Sequence, residues 1–388
     1  MAKYAIDLTP LKKYPDFRNL WTAGLISYFG SMITYVALPF QLKELTGSYL
    51  AVGLLGVVEI VPLIIFGLYG GVLADSVDRK KMVWATEAGA LILVLVLLGN
   101  SLLGSPTTLA IYLVAALFAV VDGLQRPSMD AMLPRLVSHE DLPAASALLS
   151  LRWQLGVIVG PTIGGIIFST MSVSAGYVVD IATYVLSLLF LARVRSIPPS
   201  KEAEKPSLSA LLDGVRYAFK RQDLLGTYII DLAAMTLAMP MALYPFWADE
   251  LNAPWALGMF YAAITVGSVI VTLTSGWTRT YRYHGRAVIL AAMGWGLAIA
   301  AAGLSHSLIL VLLFLTVAGA SDMVSALFRG NIWNQTIPDN FRGRLAGIEL
   351  LSYSVGPLAG QLRAASMAAA TTLSISVTSG GLMCVVVV

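Results

Sequence analysis

The chain has 388 residues, of which 57% are hydrophobic and only 12% charged, with a formal net charge of +3. Soluble domains carry about 45–50% apolar and about 25% charged residues, so this composition and the mean hydropathy of +0.79 exclude a water-soluble protein and indicate a bilayer. The small, dispersed charge excludes a nucleic-acid binder, while a lone cysteine and three scattered histidines exclude a disulfide framework and a metal site.

The chain begins with a polar stretch and then divides into apolar segments. No short apolar run with a small-residue cleavage site follows Met1, so we expect no cleaved signal peptide. A membrane span needs about 20 apolar residues, and eleven segments meet that need. They are Asn19–Gln41, Leu50–Leu73, Met82–Leu103, Thr107–Met132, Pro143–Ser169, Val173–Ala192, Leu224–Trp247, Pro254–Thr278, Ala287–Leu304, Ser307–Asn331 and Arg344–Ala365.

A twelfth segment is less regular. It begins around Ala368 and is clearly apolar only from Ser374, so either it starts earlier, near Met367, or the chain is cut short. With it, the pattern predicts an all-α polytopic membrane protein of 12 transmembrane helices.

A long polar stretch divides these segments into two groups of six. Pro198, Pro199 and the charged residues after them read as linker, and the sequence from Ser207 predicts an amphipathic helix on the membrane surface. The predicted domains are a six-helix half over residues 1–193, a cytoplasmic linker over 194–223 and a second six-helix half over 224–388. Most of the 25 basic residues then fall in connections on the side of the N-terminus, which predicts a cytoplasmic N-terminus.

The two halves repeat each other. Asp122 in segment 4 recurs as Asp322 in segment 10, and the glycine-proline sequence of segment 5 recurs in segment 11 at nearly the same spacing. Two equivalent six-helix halves are typical of a transporter that works by alternating access.

The connection after segment 2 carries a motif. Residues 71–80 read GVLADSVDRK, which resembles the signature between helices 2 and 3 of the major facilitator superfamily. The resemblance implies that Gly71, Asp75 and Arg79 form a conformational latch, and we expect Asp130 to be the partner of Arg79.

Two departures from that pattern bear on the latch. Ser76 stands where the family is usually basic, and Asp78 stands where it usually has glycine. They weaken the charge ladder, and an ordinary basic loop is the alternative interpretation.

Segment 5 carries a second motif. Its glycines and proline resemble the helix-5 signature of proton-coupled exporters in the same superfamily, although generic packing of small residues is the alternative. Glycines four apart on one face let another helix approach closely, and a proline bends the segment. The residues are Gly156, Gly160, Pro161, Gly164 and Gly165.

At a finer level the whole chain is similar to the enterobactin-exporter group, which includes macrolide-efflux relatives. The likeness rests on residues 14–21, 36–40, 45–48 and 71–75, on Asp122-Gly123 and on Arg152. It implies a proton-coupled exporter of a siderophore or amphiphilic drug in the bacterial cytoplasmic membrane; import of a small organic solute is the alternative. We expect no enzyme activity, no cofactor beyond a proton gradient, and a monomer whose partners are substrate and lipid, not nucleic acid.

Charges inside apolar segments are costly and therefore functional candidates. In this superfamily helices 1, 4, 7 and 10 line the cavity, so we expect charged and aromatic side chains there to contact substrate; buried ion pairs that fix helix packing are the alternative. Aromatic residues of segment 7 either line the same cavity or pack. The cavity candidates are Tyr35, Arg126, Arg152, Asp231, Asp322, Arg329, Trp333 and Glu349.

Proton coupling needs a carboxyl group that burial can keep protonated near neutral pH. Glu59 has only apolar neighbours in sequence and Asp122 lies one turn from Arg126, so we expect one of the two to carry the proton, with Arg126 or Arg152 as countercharge. We expect Glu87, near a segment end, to be structural, and likewise Asp180, although in this superfamily its segment typically faces lipid or packs peripherally.

Overall fold

A computed structural model of the chain describes residues 7–198, 217, 220–337 and 339–388. These residues are helical and contain no β-strand. The predicted surface helix from Ser207 and most of the predicted linker lie outside the described residues.

A short helix and six long ones make up the N-terminal part. Their bounds are α1 (Thr9–Lys13), α2 (Pro15–Thr46), α3 (Tyr49–Ser76), α4 (Arg79–Ser101), α5 (Thr108–Leu136), α6 (Leu142–Thr170) and α7 (Val173–Ala192).

The C-terminal part repeats this order with one helix interrupted. The bounds are α8 (Gln222–Ala238), α9 (Tyr244–Glu250), α10 (Leu257–Leu273), α11 (His284–Leu304), α12 (Leu308–Thr336), α13 (Asp339–Ala370) and α14 (Leu373–Val387).

Ten helical stretches of the described residues are long and apolar enough to cross a membrane, with α8 and α9 counted as one. Two further helices follow them in the chain, the 32-residue α13 and the shorter apolar α14 of 15 residues. The predicted all-α polytopic fold is therefore confirmed. Most helices extend a few residues beyond the apolar runs, because backbone hydrogen bonding continues into polar sequence at the ends.

The seventh predicted segment is not one continuous helix. α8 ends at Ala238, a 3₁₀ turn covers Met241–Leu243, and α9 starts at Tyr244. Pro240 lies in the gap, and a proline both lacks the N–H that a helix needs and disfavours helical backbone in the residue before it. The predicted span from Leu224 to Trp247 is therefore present, but its helix is interrupted near Pro240.

The last helix, α14, starts at Leu373, later than the start near Met367 that the sequence left open. The side-chain oxygen of Thr372 accepts a hydrogen bond from the backbone N–H of Ile375 at 3.1 Å, which caps α14. α13 runs through Ala370. A start near Met367 is therefore wrong, because those residues belong to the preceding helix.

The chain separates into two compact units. The second unit includes a hairpin tip formed by the end of α2 and the start of α3, where Lys43 pairs with Asp249 and the Tyr49 ring lies 4.3 Å from that of Phe246. The domain boundaries predicted above stay predictions. The first unit comprises residues 1–38 and 61–206, and the second comprises residues 39–60 and 207–388.

The exposed surface of the first half of α12 is apolar. Ile309, Leu313 and Val317, spaced four residues apart, are 78%, 53% and 46% exposed. On the other side of the same helix, Val311 and Leu315 are fully buried. A stripe of this kind is costly in water and favourable in lipid, so the surface fits an integral membrane protein.

Asp78, a departure from the family signature, caps α4. Its carboxylate accepts hydrogen bonds from the backbone N–H of Lys81 at 3.1 Å, from that of Ile197 at 3.4 Å, and from the Ser196 hydroxyl. Partial burial alone would raise the pKa of Asp78, but these hydrogen bonds outweigh it and hold the pKa below the usual value. One side chain thus joins the start of α4 to the segment after α7.

We expect Asp78→Ala to lower the free energy of unfolding by about 1 kcal/mol at neutral pH, as for the loss of an N-cap. A carboxyl whose pKa is lowered by folding stabilises above its unfolded pKa, about 3.9, and loses that contribution as pH falls through its folded pKa. The gap between variant and wild type should therefore shrink below about pH 4. Melting temperatures measured from pH 3 to 8 test this, with Glu140→Ala at an exposed position as control; an equal gap at all pH values would contradict it.

Candidate functional site

The segment-5 glycines lie where α6 packs against α2. A Cβ atom added at Gly160 would lie 2.6 Å from the Cβ of Met32 and 2.7 Å from the carbonyl oxygen of Phe29, and one at Gly156 would collide with the Tyr28 ring. At Gly164 the nearest atom is 3.4 Å away. Small residues are therefore needed at the first two positions, so this face brings α6 close to α2.

The second copy of the motif makes the matching contact in the second unit. A Cβ atom at Gly356 of α13 would lie 2.8 Å from the Cβ of Met235, and one at Gly360 would lie 2.8 Å from that of Met239. α13 thus packs on α8 as α6 packs on α2. The repeat read from the sequence has a structural counterpart.

A polar face in the first unit gathers side chains from three helices. Asp122 and Arg126 are exposed one turn apart near the middle of α5. Both interact electrostatically with Tyr28 of α2, as do Tyr35 on the same helix and Arg152 of α6. The structure therefore brings together four of the candidates predicted from separate segments.

Arg152 of α6 packs against α2 at a glycine. Its guanidinium group packs directly against Gly24, where any larger residue would collide with it. Gly24 itself is buried. The glycine therefore makes room for a cation beside the polar face, a role that no sequence motif indicated.

The second unit contains a buried charge cluster. Arg329 of α12 pairs with Asp231 of α8, and its other terminal nitrogen lies 3.9 Å from Asp322. The side chains of Arg329 and Asp231 are 6% and 3% exposed, whereas that of Asp322 is 33% exposed. The geometry of Arg329 and Asp231 matches the alternative of an ion pair that fixes helix packing. The Asp322 carboxylate, in contrast, is partly accessible.

Trp333 extends this cluster by one turn. The Arg329 guanidinium carbon lies 5.9 Å from the centre of the Trp333 ring, and the indole N–H donates to the Thr227 hydroxyl at 2.9 Å. Tyr228 stacks on the same indole with ring centres 5.5 Å apart. Cation, indole and carboxylates therefore form one rigid group between α8 and α12.

The aromatic residues of the seventh segment pack instead of lining an open surface. Tyr244 and Trp247 are 0% and 2% exposed, and both stack on Phe260 of α10. Of the two interpretations of these residues, the structure supports packing, because α9 lies against α10.

The structure tests the remaining predicted site residues only in part. Glu59 is partly exposed, so the deep burial on which its choice rested is absent, and its proton role stays a prediction. Arg79 is buried, and its backbone N–H donates to Ile197 at 3.0 Å. The surroundings of Gly71, Asp75 and Asp130 lie outside the described set, so the latch stays a prediction, and the same holds for Glu349 as a cavity residue.

Two carboxyl groups expected to be structural are deeply buried. Asp180, in a segment expected to face lipid or pack peripherally, is 0% exposed, and Glu87 is 4% exposed. Neither residue has an apolar stripe or motif that reveals its partner helix, so only the packing shows their burial. Among the described residues, no group of three His, Cys, Asp or Glu side chains is placed to hold a metal ion.

Sequence comparison finds relatives along nearly the whole chain. A family model described as "Transmembrane secretion effector" matches residues 5–388. The chain is 31% identical over 347 residues to the enterobactin exporter EntS of Shigella boydii serotype 18 and to that of Escherichia coli O81. Each match covers 89% of this chain and 83% of the relative.

Comparison with solved structures shows the same fold at low identity. A variant of the nucleoside transporter NupG aligns with a TM-score of 0.80 at 12% identity, covering 96% of both chains. A POT family transporter aligns at 0.72 and 12%, covering 95% and 94%. The human organic anion transporter MFSD10 aligns at 0.66 and 15%, covering 96% of this chain and 97% of the other.

Proposed function

The chain belongs to the major facilitator superfamily, in the family described as transmembrane secretion effectors, and from that premise we propose that it is a proton-coupled exporter of a siderophore or amphiphilic drug. It is an integral, multi-pass membrane transporter. The observation that carries the proposal is the 31% identity to enterobactin exporters across 89% of the chain.

The polar faces support an anionic or planar aromatic substrate. In the first unit Arg126 and Arg152 supply positive charge next to Tyr28. In the second unit Trp333 lies beside Arg329. Arginine and aromatic rings together suit a catecholate, because the guanidinium group pairs with oxyanions and stacks on rings.

The proposed cycle is alternating access of two equivalent halves, driven by a proton gradient without another cofactor. The repeated glycine contacts of α6 on α2 and of α13 on α8 support equivalent halves. The proposal places the N-terminus in the cytoplasm of a bacterial cell and treats the protein as a monomer, because the positive-inside pattern favours that orientation.

The test uses enterobactin as the probe in inside-out membrane vesicles. We expect vesicles containing the protein to accumulate enterobactin when their lumen is acidic, and an uncoupler to abolish the accumulation. Asp122→Asn and Glu59→Gln test the two predicted proton carriers, with Glu140→Ala as a matched exposed control. Gradient-driven movement in the opposite direction would show an importer, and movement independent of the gradient would overturn proton coupling.

A further inference from the structure

Two buried carboxyl groups in the first unit are not used by the proposed substrate surface. Glu87 of α4 is 4% exposed and Asp180 of α7 is 0% exposed. α4 packs directly against α7, and the two carboxyl groups interact electrostatically. Among the residues that the structure describes, neither has a basic side chain at ion-pair distance. A pair of ionised carboxylates in such a site would be unfavourable.

The partners of Asp180 serve either protonation state. The Thr34 hydroxyl of α2 donates to one carboxyl oxygen, and the Thr183 hydroxyl lies 3.1 Å from the other. A hydroxyl both donates and accepts hydrogen bonds. Asp180 can therefore gain a proton while Thr34 or Thr183 turns from donor to acceptor, with no movement of the helices.

The two oxygens of the Glu87 carboxyl group have different surroundings. Its Oε1 accepts from the Ser27 hydroxyl at 3.0 Å and from the Gln125 side-chain N–H at 3.1 Å. Its Oε2 is buried and has no hydrogen-bond partner of standard geometry, but the hydroxyl of Ser187, a fully buried α7 residue, interacts with the carboxyl group. The Ser187 hydroxyl can donate to the carboxylate or accept from a protonated Oε2, so Glu87, like Asp180, has a partner in either protonation state.

We propose that Glu87 and Asp180 form a buried proton-binding site in the first unit, separate from the polar face that carries Asp122. Binding adds one proton from water to a carboxylate oxygen, which forms an O–H bond and breaks no other bond in the protein. The coupling role of this site rests on the proposed function, whereas its proton binding does not.

Titratable groups of α6 and α7 interact with the two carboxyl groups. Arg152 of α6 interacts with Glu87, and Tyr177 of α7 with Asp180. Tyr184 of α7 interacts with Asp180, Glu87 and Asp122. Tyr184 therefore interacts both with the buried carboxyl groups and with Asp122 of the polar face. A change of charge at Glu87 or Asp180 changes the electrostatic potential near Asp122, which offers a physical route for coupling.

Infrared difference spectroscopy of the purified full-length protein tests proton binding directly. On acidification we expect the carbonyl stretch of a buried carboxylic acid to appear in wild type, to be lost in Glu87→Gln or Asp180→Asn, and to remain in Glu140→Gln. Ser187→Ala removes only the proposed acceptor, so it should shift the band without removing it. That milder variant keeps the test decisive if a carboxyl variant fails to fold.

The outcomes separate this site from the proposed function. If the band is the same in wild type, Glu87→Gln, Asp180→Asn and Ser187→Ala, the buried site is overturned, even when enterobactin transport is proton-driven. If the band behaves as expected but wild-type transport ignores the proton gradient, proton coupling fails and the proton-binding site stands. In a coupled protein, Glu87→Gln should lose gradient-driven enterobactin transport while retaining exchange of enterobactin across the membrane.

Discussion

Replacing Arg329 with glutamine is expected to lower the free energy of unfolding by about 3–5 kcal/mol, because it leaves the buried carboxylate of Asp231 without its cation. Asp231 and Arg329 are both nearly inaccessible, and Asp322 also loses its nearest positive charge. The stacking of the guanidinium group on Trp333 disappears in the same variant. The measurement is the thermal or denaturant unfolding of the purified protein, followed by tryptophan fluorescence.

Two controls separate the ion pair from a general effect of losing an arginine. Arg286 is exposed, so Arg286→Gln should change stability by less than about 0.5 kcal/mol. The double variant Asp231→Asn with Arg329→Gln should recover much of the loss, because neither buried charge is then unpaired. If Arg329→Gln and Arg286→Gln unfold alike, the cluster contributes little to stability and the ion pair is not what holds α8 against α12.

Gly160→Ala is expected to destabilise the protein by about 1–3 kcal/mol, the usual cost of overpacking. The added methyl group would lie 2.7 Å from the Phe29 carbonyl oxygen, which is backbone and cannot rotate away. α6 must then move from α2, so enterobactin transport by the reconstituted protein should fall as well. Unfolding and transport are measured on the same preparation.

Gly164→Ala is the matched control, one turn further along the same helical face. Its nearest neighbours lie at 3.4 Å, in ordinary contact, and alanine favours a helix interior over glycine by about 1 kcal/mol. We therefore expect this variant to be as stable as wild type or slightly more stable. If Gly160→Ala and Gly164→Ala lowered the free energy of unfolding equally, the close contact of Gly160 with α2 would not be the cause of the destabilisation.

Much of the fold could be predicted because membrane insertion depends on local composition. Val173–Ala192 was predicted with the bounds that α7 has, and the other spans differ mainly at their ends. The interruption near Pro240 was missed because the apolar run continues through it. Hydropathy reports which residues avoid water and does not report whether their backbone stays helical.

The candidate site was predicted in part. Spacing along α5 and α12 correctly grouped Asp122 with Arg126 and Arg329 with Trp333, because residues about four apart share a helical face. The pairing of Arg329 with Asp231 joins residues nearly one hundred positions apart. Two further glycine contacts were not predicted. Gly267 and Gly319 let α10 pack closely against α12, and Gly70 and Gly123 let α3 pack closely against α5.

The sequence by itself determined the class of protein, the spans, the internal repeat and the family, since each depends on composition or on motifs that lie within one short stretch of chain. Only the tertiary structure decided which charged residues are buried, which are paired and which face open space. Glu59 and Glu87 both lie inside predicted apolar segments, yet the first is partly exposed and the second is buried against Ser27 and Gln125. The physical reason is that the environment of a side chain on a membrane helix is set by the helices packed against that side, and those come from distant parts of the chain.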